Sequence, residues 1–405
     1  MAKLIKLIKK YMRRIQKRPW MLWALGGGLA VAVVVLGVIL VLALRPDQAP
    51  TFGPNTTTIS LVAGGDLNVT DNTIAAGQSG NGYDYTAAFL DVAQILAEAD
   101  AAVVNLEGNF CGAPYGSATV SAPVALAQAL KAMGVDFLQM ANSCPVKNGM
   151  MGLQQTLDAI RSAGLEPVGA YGSNAEAAQQ QGFILREIGG VRVALVAFTK
   201  GMDGMGLPAG SDNCVNLLYT DYTTTYKKIN TDGITKILEA AEAAKPDITI
   251  ALLHWGSEGN ASISPSQEKI AKLMLSLGVD AIIGTHSHQV QRVVYDEEKS
   301  TLVAYSLGDF FGDGQVSGSY YSILLRLQIT KDLDSGYTAI TGWEHIPLYI
   351  QTPQRDEANV QVLQIRQAIE LYENNHISAV SKQTYENMKA ALEQIEKRIL
   401  PPPEK

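Results

Sequence analysis

Cysteine is nearly missing from this chain, at three in 405 residues. So few cannot staple a core, which excludes a disulfide scaffold. No compositional extreme is present either: 37 glycines, 16 prolines and 47% hydrophobic residues exclude collagen-like and disordered chains. Charge is sparse, at 18%, and unevenly spread. Residues 1–45 contain no acid, yet they hold nine basic residues: Lys3, Lys6, Lys9, Lys10, Arg13, Arg14, Lys17, Arg18 and Arg45. Taking those nine from the 32 Lys and Arg leaves residues 46–405 with 23 basic against all 39 acidic side chains, a net of −16. A field of that sign excludes nucleic acid as the partner of the larger part.

Charge is missing again from Trp20 to Leu44, 25 residues rich in Leu, Val and Ala. As a helix this run spans about 37 Å, enough to cross a hydrocarbon core of about 30 Å with some tilt. Trp20 and Trp23 mark one end, where headgroups belong, and eight of the nine basic residues precede it. The pattern predicts a basic cytoplasmic segment over 1–19, a transmembrane helix over 20–44 and a linker over 45–57, with everything beyond outside the cell. Leu4, Ile5, Ile8, Met12 and Ile15 recur at helical spacing, so the basic segment either lies on the inner leaflet or serves only to set topology. A cleaved signal peptide competes with this reading. Its apolar region is usually about 7–15 residues, followed by a small-x-small site. Here the run is longer, and Arg45-Pro46-Asp47-Gln48-Ala49-Pro50 offers poor cleavage chemistry.

Beyond the linker, helical and strand patterns alternate: Tyr85–Ala99 into Ala101–Leu106, Val124–Met133 into Val135–Met140, and Leu153–Ala163 into Pro167–Ala170. The unit returns at Ile234–Ala244 into Ile248–Leu253 and at Gln267–Leu277 into Ala281–Gly284. With Ile59–Ala63 as the first strand, this predicts an α/β core with parallel strands. Gly182–Ile188, Val191–Phe198, Val290–Tyr295, Thr301–Leu307, Tyr320–Ile329 and Thr338–Ile346 read as antiparallel strands, so the sheets should be mixed. Val360–Glu373 and Lys382–Ile399 read as two amphipathic helices, giving a helical extension over 353–405 after a main domain over 58–352.

Polar residues collect where the strands end, which is where open α/β sheets keep their sites. The ends read Gly64-Gly65-Asp66, Asn105-Leu106-Glu107, Ala141-Asn142-Ser143-Cys144, His254-Trp255-Gly256-Ser257-Glu258, Gly284-Thr285-His286-Ser287-His288 and Ser306-Leu307-Gly308-Asp309-Phe310. Each alone is weak, since an Asp after a strand is commonly a cap and a lone His a hydrogen-bonded core residue. Their concentration is not: three of the five histidines lie between 254 and 288, each at an expected strand end. Carboxylate, amide and imidazole converging in this way suit a two-metal site that holds a water and an oxyanion. Two histidines one residue apart reach one metal each only from an irregular loop.

This ordered set resembles the bacterial capsule-synthesis CapA family, over about residues 58–313. The resemblance implies a calcineurin-like metallophosphatase fold, a two-sheet sandwich flanked by helices with its site at one rim. It implies divalent metal (Zn, Mn or Fe, one or two ions) on Asp66, Glu107, Asn142, His254, His286 and His288, with His254, Glu258 and Asp309 as catalytic candidates. The family's third motif typically reads Ala-Asn-Asn-His; here Ser143 stands for the second amide and Cys144 for the histidine. Asp309 stands for the usual Asn. Loss of a general acid, a group that typically contributes about 10²–10⁴-fold, argues against full phosphoesterase chemistry. Because thiols oxidise outside the cell, Cys144 is expected in a disulfide, with Cys111 ahead of Cys214 as partner; simple buried thiols are the alternative.

The resulting expectation is an anchored, extracytoplasmic protein acting in synthesis, export or attachment of an anionic polymer such as poly-γ-glutamate. It would work as a binding or assembly component, within a membrane synthase or export complex. The alternative is a metal-dependent phosphoesterase or hydrolase acting on envelope substrates.

Overall fold

The computed structural model describes residues 52–399. The expected basic segment, transmembrane helix and most of the linker lie outside the described residues. Among those described, no helix is long and apolar enough to cross a membrane.

In chain order the elements are β1 (Thr56–Asn68), α1 (Asp71–Ala76), the small hairpin β2 (Gln78–Ser79) and β3 (Gly82–Tyr83), α2 (Thr86–Ala97) and β4 (Ala101–Glu107). Then come α3 (Val124–Ala132), β5 (Phe137–Gln139), α4 (Gly149–Ser162), β6 (Glu166–Val168), α5 (Asn174–Gln180), β7 (Phe183–Ile188) and β8 (Val191–Thr199). After a long loop follow α6 (Thr231–Ala243), β9 (Ile248–His254), α7 (Pro265–Ser276), β10 (Ala281–Thr285), β11 (Val293–Asp296), β12 (Thr301–Ala304) and β13 (Asp309–Phe311). The chain closes with β14 (Tyr321–Asp332), β15 (Thr338–Gln351), α8 (Pro353–Asp356), β16 (Gln361–Gln364), α9 (Ile365–Glu373) and α10 (Lys382–Ile399).

Two mixed sheets result. One runs β16-β15-β14-β1-β4-β5-β6, with β13 also pairing β1; the other runs β11-β12-β10-β9-β8-β7. β4 and β9 are apolar along nearly their whole length and buried on both faces, as parallel strands covered by helices must be. The alternation in β8 shows how the layers meet. Val193, Leu195 and Ala197 join the core shared by the two sheets, whereas Ala194, Val196 and Phe198 face a second core beneath α6 and α7. A capping box at Ser264 and Gln267 starts α7, with Pro265 at its first turn.

The helix–strand units appear where the periodicity placed them, with ends shifted by a few residues. Three details differ. β8 is antiparallel to β7 but parallel to β9, and β12 is antiparallel to β11 but parallel to β10, so these strands were only half described as antiparallel. Residues 361–364, expected in a helix, pair antiparallel with β15 instead, with Leu363 opposite Tyr349 and Val362 opposite Ile350. The open edge of β15 offers backbone partners there, and the helix starts only at Ile365. The tail is thus partly sheet.

Candidate metal centre

The strand ends meet at one rim of the first sheet and the facing edge of the second. β1 carries Asp66 to the position beside Asp309 on β13 and Asn105 on β4. Glycine is needed here: a Cβ on Gly65 would stand 1.7 Å from the Gly308 carbonyl oxygen, which accepts from the Asp66 N–H at 3.0 Å. β9 delivers His254, and β10 runs into a loop in which His286 and His288 adopt φ of +87° and +56°. Left-handed backbone at two non-glycine residues carries strain, which structures tolerate mainly at functional sites. Its effect is to send the two imidazoles to different places.

Two donor groups result. Glu107, His254 and His286 bring ligand atoms within 4.8 Å of one another, and so do Asp66, His288 and Asp309. Glu107 faces both: Oε1 lies 3.3 Å from His254 Nε2, and Oε2 lies 3.9 Å from His288 Nε2. His254 Nδ1 is held from behind, 3.1 Å from Thr285 Oγ1 and 3.4 Å from Asn105 Nδ2, which turns Nε2 toward the site. The Asn105 amide donates to Asp66 Oδ1 at 2.6 Å, and the His286 N–H donates to Asp66 Oδ2 at 2.8 Å. His288 Nδ1 sits 2.7 Å from Asp309 Oδ1. Such outer partners fix ring orientation and tautomer in metal sites.

Burial and mutual charge set the electrostatics. Burial first, then Glu107, pushes the Asp66 pKa up. Burial also pushes Asp309 up to about 7, although His288 pulls the other way. At Glu107 burial is outweighed by the imidazoles, His254 foremost, and its carboxyl stays below the usual range. Burial and the neighbouring His254 hold His286 well below an ordinary histidine, while Asp309 overcomes burial to raise His288. Glu107 Oε2 and His286 Nδ1 are buried without any hydrogen-bond partner. Orphaned acceptors and ring nitrogens in sets of imidazole and carboxylate fit divalent cations such as Zn, Mn or Fe.

The centre opens into a cleft of about 300 Å³ that is lined by Glu107, Asp203, Glu258, Asp309 and Asp313 but by no Lys or Arg. The third motif lies at its floor. The Ser143 hydroxyl donates to Glu107 Oε1 and lies 3.2 Å from His254 Nε2. Cys144 is buried beside it, and burial pushes its thiol well above the ordinary value.

Residues 60–314, more than half the chain, match the family described as "Bacterial capsule synthesis protein PGA_cap". The chain belongs to this family. Among similar PGA_cap relatives, the capsule biosynthesis protein CapA of Bacillus anthracis is 31% identical over 235 residues, 57% of this chain and 52% of that one. The PGA biosynthesis protein CapA of Bacillus subtilis is 29% identical over 204 residues, 50% of this chain and 49% of that one. The chain therefore spans about half the length of these curated relatives. A crystal structure of a novel phosphatase from Mycoplasma pneumoniae covers 74% of this chain and 96% of its own, at 16% identity and a TM-score of 0.46. A likeness that loose decides neither fold nor function.

Against this PGA_cap centre, Asp66, Glu107, His254, His286 and His288 all lie in the two donor groups. Asn142 is tied into its loop: its amide donates to Leu106 O and Asn105 Oδ1, and its oxygen accepts the Cys144 N–H at 2.8 Å. That side chain helps hold its loop, and its oxygen keeps one lone pair beyond the Cys144 bond. Asp309 sits among the donors, and Glu258 stands exposed at the cleft mouth, in neither group. The disulfide expectation is also corrected, since all three cysteines are free. Their thiols turn to different neighbours: Cys111 donates to Ser121 Oγ at 3.4 Å, Cys214 to Asn174 Oδ1 at 3.8 Å, and Cys144 is enclosed. Sequence reasoning missed Asn105 and Thr285, although both stood inside quoted motifs. It also missed Asp203 and Asp313, which lie on loops that no strand end announced.

Proposed function

We propose that this chain is a membrane-anchored, extracytoplasmic component in the biosynthesis, export or attachment of an anionic capsule polymer of the poly-γ-glutamate kind, acting by cation-dependent binding. The observation that carries this reading is the pair of donor groups joined by Glu107 beneath a cleft lined by five carboxylates and by no Lys or Arg. Five carboxylates give such a cleft a net repulsion for an anionic polymer, which bound cations would offset. When bound, divalent cations supply positive charge and Lewis acidity at the floor of the cleft. Asp66, His288 and Asp309 would hold one, and Glu107, His254 and His286 the other. Thr285 and Asn105 keep His254 turned inward, and Ser143 orients Glu107. Cys144 stays a protonated thiol and is a poor substitute for an acid catalyst. The basic N-terminal segment and the uncharged run after it support the anchor, and the family's capsule role supports work beside a membrane synthase or export complex.

The test is elemental analysis of the full-length chain beside a His286→Ala, His288→Ala variant, followed by poly-γ-glutamate binding with and without EDTA. The expected result is one to two equivalents of Zn, Mn or Fe, lost in the variant, and polymer binding that EDTA abolishes. Absence of metal after reconstitution, or binding indifferent to EDTA, overturns the reading. Glu107 facing both donor groups favours a second reading, a metal-dependent phosphoesterase or hydrolase acting on envelope substrates. Turnover of a phosphodiester that disappears in His254→Ala would establish it.

A further inference from the structure

One wall of the cleft comes from residues that hold nothing in the centre. Residues 312–319 run on directly from β13, and Asp313, Gln315, Val316 and Ser319 line the cleft. Gly314 and Gly318 stand at φ of +65° and +79°, and a Cβ on Gly312 would come within 2.9 Å of Asp309 Oδ2. A segment with three glycines in seven residues has little backbone restraint of its own. Because Gly312 packs directly on Asp309, a shift of this loop carries over to a donor.

The loop is gripped from outside by two arginines of the C-terminal segment, beyond the residues that match the family. Arg355 places its guanidinium 3.8 Å from the Tyr320 ring centroid, with Nη1 packed against Gly314 and making no hydrogen bond. Arg398, on α10, lies 5.3 Å from the Tyr321 ring centroid and donates from Nη1 to Gln289 Oε1 at 2.6 Å. Gln289 in turn donates from Nε2 to the Ser317 carbonyl. α10 is seated independently by buried Met388, Ala391 and Ile395, so the arginines are not what docks the helix.

We infer that the C-terminal segment is a clasp on the cleft wall, with Arg355 and Arg398 as positioning residues that fix residues 312–319 and, through Gly312, Asp309. This deepens the cation-binding reading and rests on it only for the metal readout below.

The experiment is hydrogen exchange on the full-length chain carrying Arg355→Ala and Arg398→Ala, alongside the rate at which EDTA strips preloaded Mn²⁺. Gln289→Ala cuts the same link from the other side, and Arg398→Lys keeps a cation over Tyr321. Amides of 312–319 are expected to exchange about tenfold faster in the double variant, with α10 unchanged. Mn²⁺ release should quicken in parallel, Gln289→Ala should give part of both effects, and Arg398→Lys should restore most of the protection at that end. Unchanged loop exchange overturns the clasp, as does a rise that appears only together with α10. If the parent protein takes up none of Zn, Mn or Fe, the metal reading fails, and loop exchange alone decides the clasp.

Discussion

At the scale of single residues, burial decides what each carboxylate does. Asp280 illustrates it away from the centre: it accepts the Thr249 N–H at 2.8 Å, and burial pushes its pKa from 3.8 up to about 6. The folded chain therefore holds a proton there in a window, from about pH 4 to 6, where the unfolded chain has lost it. Stability falls as pH rises through that window, and the full penalty remains above it. Asp280→Asn keeps an acceptor for Thr249 and carries no charge. It should raise stability by about 3 kcal/mol at pH 7.5 and by close to nothing at pH 4. Urea denaturation at the two pH values checks this, and an equal difference at both would count against the assignment. At the centre the same burial raises Asp66 and Asp309 against the pull of nearby imidazoles, which outweigh it only at Glu107.

At the scale of elements, the site is an interlock of strand ends. β1 and β13 run parallel with Asp66 opposite Asp309, and the Asp66 N–H closes onto Gly308 O. Gly65→Ala would drive a methyl group into that carbonyl, whereas a Cβ on Gly82 would find its nearest neighbour, Ser79 O, at 3.9 Å. The first substitution should cost about 3 kcal/mol or more and weaken cation binding, while the second should stay within about 1 kcal/mol. Thermal unfolding of both variants together with metal content tests the contrast, and similar losses would remove the argument. Most of these elements were legible in the chain: the helix–strand units announced themselves through period and length, and the six polar strand ends did meet. What periodicity could not supply was pairing. Residues 361–364 carry the same apolar pattern in a helix or a strand, and only the open edge of β15 chose between them.

At the scale of the molecule, the tail completes the sandwich. β16 covers the edge of β15, and α10 buries Met388, Ala391, Ile395 and Ile399. A chain ending at Thr352 would unpair the edge of β15 from Leu348 to Gln351, with buried Leu348, Tyr349 and Ile350 on it, and would strip away the apolar face of α10. It should aggregate, as judged by size-exclusion chromatography. A monomeric, cooperatively unfolding product would show that the tail is dispensable.

By itself the sequence determined the alternation of elements, the separation of a basic segment and an uncharged run from an acidic remainder, and the set of imidazoles and carboxylates at the strand ends. These are local properties, written in period, charge and residue type. The tertiary structure alone decided which candidates became donors. It divided His286 and His288 between two groups through left-handed backbone, tied Asn142 into its own loop, set Asp309 beside Asp66 and His288 and left the three thiols apart. Those outcomes depend on distances between atoms far apart in the chain, and no local pattern encodes them.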